Sequence, residues 1–172
     1  LATYFKKRFR TFIIKKNYNS HLDEKKLLEK KHKVIFEKTR ELSIVKAENE
    51  NAEMLIFDDG LQEKRINYDL KIVCFNSLKL EGNGLVIPAG PLREKLDSIK
   101  NYDIAVINGD LNKKSKDFVN KIKNINPNIK IFTGKYVPKN YSKLKKKKFI
   151  IFSGIGNPHT FLDTLKSLKI KD

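Results

Sequence analysis

Two adjacent carboxylates, Asp58 and Asp59, follow directly on the apolar run Met54-Leu55-Ile56-Phe57 and precede Gly60-Leu61-Gln62. A buried strand that ends in acids delivers hard oxygen ligands to the rim of a sheet, the arrangement by which P-loop phosphotransferases set a carboxylate near Mg²⁺. If the backbone is still extended there, the two side chains point to opposite sides and need not share one role. The plainer reading makes both acids turn or cap residues. A second polar cluster lies in Gly82-Asn83-Gly84 and in Val86-Ile87-Pro88-Ala89-Gly90-Pro91-Leu92-Arg93-Glu94, a glycine- and proline-built turn expected to open a helix. Arg93 in its first turn offers a planar fork suited to phosphate, and Glu94 a carboxylate for a metal, a cation or a hydroxyl. A first-turn salt bridge would explain that pair equally. A third pair, Asp23 and Glu24, ends a capping-box-like Ser20-x-x-Asp23 pattern, so both fall at a helix N-terminus, where the dipole and unpaired amides favour carboxylates for structural reasons alone. The same setting keeps Asp23 ionised, as a proton acceptor must be.

The elements that must position these groups alternate along the chain. Leu1, Tyr4, Phe5 and Phe9 recur at helical spacing with basic residues between them, predicting an amphipathic helix over Leu1 to Arg10. Strands are expected at Thr11 to Ile14, Val34 to Phe36, Met54 to Phe57, Leu70 to Phe75, Ile104 to Asn108 and Ile129 to Thr133. Helices are expected at Lys25 to Lys31, Thr39 to Glu50, Leu92 to Lys100 and Ser115 to Asn124. Such alternation with short links predicts an α/β fold, a mostly parallel sheet flanked by helices. A composition change near Pro138 and the run Lys143 to Lys148 read as a linker, so residues 1–138 form one domain and 139–172 the linker and start of a second. The latter has a strand at Phe149 to Phe152, a turn at Ser153-Gly154-Ile155-Gly156, a cap at Asn157-Pro158 and a helix from His159 to Lys169.

Composition bounds the remaining possibilities. Hydrophobic residues make up 40% and charged residues 33% of 172, which suits a folded chain with a real core. No apolar run approaches the roughly 20 residues that span a bilayer. The single cysteine, Cys74, cannot form an internal disulfide, which fits a reducing cytoplasm. His21, His32 and His159 share no metal-ligand spacing with one another or with Cys74 and read as surface or capping residues, so nothing suggests zinc. The net charge of +17 attracts phosphates, whether of nucleic acid or of an anionic membrane. Abundant lysine, asparagine and isoleucine with scarce arginine also point to AT-rich codon drift, and charge alone chooses no partner.

Taken together and in order, Asp58-Asp59-Gly60-Leu61-Gln62, Gly82-Asn83-Gly84, Pro88 to Glu94 and Gly154-Ile155-Gly156-Asn157-Pro158 resemble the tetraacyldisaccharide 4'-kinase family, the lipid A 4'-kinases of Gram-negative bacteria. The segment Ile13-Ile14-Lys15-Lys16-Asn17-Tyr18 with the later Asp23-Glu24 looks like the family's strand, basic turn and acidic pair. The resemblance implies a P-loop kinase-like fold and transfer of the ATP γ-phosphate to the 4'-hydroxyl of a tetraacylated glucosamine disaccharide 1-phosphate. The enzyme would sit at the cytoplasmic face of the inner membrane, peripheral to an anionic surface, with Mg²⁺ as cofactor. Carried over, Asp23 matches the aspartate that takes the hydroxyl proton, and Glu24, Asp58 and Asp59 the acids around the metal. Gln62, Arg93 and Glu94 match positions near substrate and phosphates. No G-x-x-x-x-G-K-[ST] occurs here, so the resemblance implies a phosphate-binding loop before Leu1 and an Asp-His motif after Asp172. The chain as given is therefore expected to be a truncated form that turns over ATP poorly. Departures from the family pattern are Glu63, where histidine is usual, and Lys16-Asn17-Tyr18, where a basic-Gly-Tyr turn is usual. Two other classes compete: a non-catalytic basic module for nucleic acid, disfavoured because no base-stacking aromatic signature is present, and a folded but inactive remnant.

Overall fold

The computed structural model describes residues 1–16, 22–135, 137, 150–152, 154 and 158–167, with the backbone alone at 22–25, 159–160 and 167. It divides into two compact units, Leu1–Lys71 and Ile72–Asp172. Asn17-Tyr18, Ser20, the surroundings of Lys139, the run Lys143 to Lys148, Gly156-Asn157 and the end of the last helix lie outside the described residues.

In the first unit, β1 (Thr11–Lys16), β2 (Lys33–Glu37) and β3 (Met54–Phe57) form a parallel sheet in the order β2-β1-β3. Ile13 stands in register with Val34 on one side and Ile56 on the other. Because β1 is central, Thr11 to Ile14 are buried on both faces, which explains an unbroken apolar run instead of alternation. The flanking helices are α1 (Ala2–Phe5), α2 (Leu22–Glu29) and α3 (Arg40–Asn49). Helix α3 starts where it does because the Thr39 hydroxyl accepts from the Leu42 amide at 3.3 Å. Its Ala47 is fully buried against Phe12, Ile14 and Ile35, with Leu55 and Phe57 packed alongside.

The first helix is shorter than expected and buries less. It ends at Phe5, and Leu1 and Tyr4 stay 70% and 60% exposed. The cause lies at Arg10, whose amide donates to Glu53 Oε2 at 2.7 Å and whose carbonyl accepts from the Glu53 and Met54 amides. Arg10 is thus tied to the approach to β3, and the chain must leave the helix before reaching it.

In the second unit, β4 (Ile72–Asn76), β5 (Ile104–Asn108) and β6 (Lys130–Gly134) form another parallel sheet in the order β4-β5-β6. The unit's helices are a 3-10 helix (Leu96–Asn101), α4 (Lys113–Ile125) and α5 (Pro158–Ser167). The core joins Phe75, Ile99, Ala105, Ile107, Phe118, Ile122 and Ile129, with the Phe75 and Phe118 rings edge-to-face at 4.9 Å. Helix α4 opens on a reciprocal cap: the Ser115 amide donates to Asn112 Oδ1 at 2.9 Å and the Asn112 amide to Ser115 Oγ at 2.7 Å. At its far end Asn126 Nδ2 donates to the carbonyls of Ile99 and Tyr102, tying α4 to the end of the 3-10 helix.

The α/β class with parallel strands is as the sequence implies, with the strands sorted into two sheets. Two local expectations are corrected. Leu92 to Lys100 is no single helix: the 3-10 helix begins only at Leu96, because Leu92 bridges in parallel to Val86 and both its backbone groups are engaged there. Ile150 to Phe152 is not a strand; among the described residues nothing pairs with it, and Ile150 and Phe152 are more than 90% exposed.

Candidate functional site

The acid pair sits at the carboxyl end of β3. The Asp58 amide still donates to the Ile14 carbonyl of β1 at 2.9 Å, so Asp58 closes the ladder. Its Oδ2 accepts from Lys15 Nζ at 2.7 Å, a charge-assisted contact in which the lysine side chain is only 13% exposed. Asp59 has left strand geometry, with φ +55°, a left-handed conformation that aspartate tolerates better than most residues. The opposite-sides argument for consecutive strand residues therefore stops at Asp58.

The turn that follows is held from outside. One terminal nitrogen of Arg40, the first residue of α3, donates to the carbonyls of Asp58 at 3.1 Å and of Asp59 at 2.7 Å. The Gly60 carbonyl accepts from the Tyr68 hydroxyl at 2.7 Å and from the Glu63 amide at 3.0 Å. Gly60 is buried, and a Cβ there would come within 2.8 Å of Phe57 Cβ and 3.1 Å of the Tyr68 oxygen, so a side chain has no room. Gln62 is exposed on the same turn. Glu63 is gripped by Arg65 through Nε at 3.0 Å and a terminal nitrogen at 3.2 Å, and Arg65 also reaches Glu41 at 3.1 Å. The Arg65 fork holds the Glu63 carboxyl below the usual carboxylate range.

Asp23 and Glu24 fall in the first turn of α2 by their backbone; their side chains lie outside the described residues. Arg93 and Glu94 belong to the second unit, in a loop of their own. There Asn83 Nδ2 donates to the Ala89 carbonyl at 2.8 Å and Asn83 Oδ1 accepts from the Leu85 amide at 3.1 Å. The Ile87 amide donates to the Leu92 carbonyl at 2.8 Å and the Leu92 amide to the Leu85 carbonyl at 3.2 Å. Gly82, at φ +62°, packs against Pro91, and Gly90 lies where a Cβ would overlap Asn83 Oδ1 and the Leu85 carbonyl. Two separate sequence motifs are thus one folded unit that presents Arg93 at the surface. Glu94 Oε2 accepts from the Tyr102 hydroxyl at 2.9 Å, and partial burial together with this bond pushes Tyr102 up to about 12.

Asp58, Asp59 and Gln62 therefore share one turn of the first unit, and Arg93 and Glu94 one loop of the second. Lys15, Arg40 and Tyr68 were not among the residues singled out for chemistry. Lys15 lies at the basic end of β1, but Arg40 and Tyr68 carry no sequence signal beyond being a scarce arginine at a helix start and a tyrosine after a turn. Among the described residues no three histidine, cysteine or acidic side chains cluster as a metal cage. The acid pair instead supplies the kind of oxygen donors Mg²⁺ takes when phosphates and waters complete its shell.

A sequence model of the tetraacyldisaccharide-1-P 4'-kinase family matches residues 11–172. A protein of Pelagibacter ubique (strain HTCC1062) named tetraacyldisaccharide 4'-kinase is 45% identical over 168 residues, covering 96% of this chain and 53% of that protein. One of the same name from Francisella tularensis subsp. novicida (strain U112) is 32% identical over 127 residues, 70% of this chain and 39% of its own. The chain spans about half the length, or less, of these curated relatives.

Proposed function

This chain belongs to the tetraacyldisaccharide-1-P 4'-kinase family, and from that premise we propose that it serves ATP-dependent phosphorylation of the 4'-hydroxyl of a tetraacylated glucosamine disaccharide 1-phosphate, a step of lipid A biosynthesis. The observation that carries the reading is the acid turn: two carboxylates at the carboxyl end of a parallel strand, beside the central β1, where open α/β sheets hold ligands. In-line phosphoryl transfer asks of a protein mainly positioning and charge neutralisation.

Asp58 and Asp59, with Glu24, are assigned to Mg²⁺, which when bound would neutralise phosphate charge. Lys15 holds the Asp58 carboxylate in position through its 2.7 Å contact. Asp23 is assigned the proton of the acceptor hydroxyl, Arg93 a phosphate through its fork, and Gln62 and Glu94 the sugar. Tyr102 orients Glu94 by donating to it. Residues 1–138 are assigned to the kinase-like domain, with 139–172 as linker and start of a C-terminal domain. For location, the reading is a peripheral protein at the cytoplasmic face of the inner membrane. No helix among the described residues is long and apolar enough to cross a membrane, and a charge of +17 favours an anionic surface.

The test is transfer of labelled phosphate from ATP to tetraacyldisaccharide 1-phosphate by the product of the whole reading frame that encodes these residues. Transfer is expected, with a loss of at least about a hundredfold in Asp23→Ala and in Asp58→Asn, in line with general-base and electrostatic contributions. An Asp23→Ala rate within threefold of the parent would remove Asp23 from its role, and no transfer by the parent would overturn the reading.

A further inference from the structure

Three consecutive carbonyl oxygens, those of Asp58, Asp59 and Gly60, accept side-chain donors from outside their own turn. We propose that Arg40 and Tyr68 are positioning residues that fix the backbone of the acid turn, so that Asp58 and Asp59 are preset to receive a divalent cation. This rests on the kinase reading above.

The geometry explains why a clamp is needed. In an extended strand successive carbonyls point in opposite directions, so one donor cannot serve two in a row. Arg40 serves two in a row, at 3.1 and 2.7 Å, because Asp59 at φ +55° brings both carbonyls to the same side. The left-handed residue and the bridging arginine are one arrangement seen from two ends. The guanidinium opposes a return of Asp59 to the ordinary right-handed or extended regions, which L residues prefer. Either return would redirect the Asp59 carboxylate.

Arg40 is itself anchored. It opens α3 directly after the Thr39 cap, and its Nε is buried without a hydrogen-bond partner. The guanidinium thus reaches the turn through one terminal nitrogen while its Nε is buried. Glu41, the next residue, holds Arg65, and Arg65 holds Glu63, whose amide closes the turn on Gly60. The first turn of α3 therefore grips the acid turn at its start and its end. On the other side Tyr68 packs edge-on against Phe57, ring centroids 5.1 Å apart, while its hydroxyl reaches Gly60. Burial raises the Tyr68 hydroxyl, keeping it a donor at every physiological pH.

The experiment is an Mg²⁺ titration of the protein followed by NMR at the amides of Asp58, Asp59 and Gly60, with Mg²⁺ dependence and acceptor KM of the transfer reaction alongside. Arg40→Met and Tyr68→Phe should each raise the Mg²⁺ concentration for half-saturation at least fivefold, leaving acceptor KM within twofold. Arg40→Lys, which keeps the charge on a shorter, unforked side chain, should fall between Arg40→Met and the parent. Asp58→Asn with Asp59→Asn should abolish the titration. If that double substitution leaves Mg²⁺ binding unchanged, the assignment of the acids fails. If it abolishes binding while Arg40→Met and Tyr68→Phe bind as the parent does, the assignment stands and the clamp is refuted. Tyr68→Phe removes one hydroxyl only and decides the matter should Arg40→Met fail to fold.

Discussion

Removing the Asn83 side chain should unfasten the loop that carries Arg93 without touching either sheet. Two hydrogen bonds disappear, to the Ala89 carbonyl at 2.8 Å and from the Leu85 amide at 3.1 Å. Each is worth about 1 kcal/mol net, and because Asn83 is exposed its former partners can turn to water, so the loss comes to about 1–2 kcal/mol. Gly90→Ala acts harder on the same loop. A Cβ there would lie 2.8 Å from the Leu85 carbonyl carbon, which is backbone and cannot swing aside, adding about 1–3 kcal/mol of strain. The assay is amide hydrogen exchange at Ile87 and Leu92, whose bonds to Leu92 and Leu85 hold the loop closed. At 1.4 kcal/mol per tenfold, protection should fall roughly 5- to 30-fold in Asn83→Ala and further in Gly90→Ala. Val106, in the middle of β5, should keep its protection within twofold. Unchanged protection at Ile87 and Leu92 in both variants would refute the interlocked loop, as would free-peptide exchange at those amides in the parent.

Two further outcomes follow from single side chains. Ser115→Ala removes one half of the cap that starts α4 at a fully buried position, and should cost about 1–2 kcal/mol in urea denaturation; a loss below about 0.3 kcal/mol would show the cap idle. Tyr102→Phe tests the pairing with Glu94 through pH. The folded state raises Tyr102 from 10.0 to about 12, so it favours the neutral phenol; that contribution is fully present below pH 10 and is lost as pH rises toward about 12. The Tm difference between parent and Tyr102→Phe should be flat below pH 10 and shrink above it, and a flat difference throughout would exclude the pairing.

How far the residues alone foretell this structure depends on the range of the interactions that decide each part. Val34 to Phe36 and Ile104 to Asn108 announce themselves as strands because a parallel strand is largely apolar; the first is longer by one residue at each end and the second has those bounds. The acid pair at the end of Met54–Phe57 was equally readable, since a strand's end is a local event. The first helix is shorter than its periodicity suggests because what cuts it short is Glu53, 43 positions from Arg10. Arg93 and Glu94 read as helical from local pattern, which cannot show that Leu92 pairs back to Val86. Arg40 and Tyr68 are silent in the sequence for a related reason: a side chain that bonds a backbone carbonyl 18 or 8 residues away leaves no mark on periodicity or on motif.

The strand orders carry a consequence for vectorial synthesis. In β4-β5-β6 each new strand docks beside the one made just before it, so the second sheet can be laid down in the order of translation. In β2-β1-β3 the first strand made is the middle one, and its second flank waits until Phe57 has left the ribosome. Until then the Thr11–Ile14 backbone offers an open hydrogen-bonding edge, the kind of surface that nascent chains must shield from foreign strands.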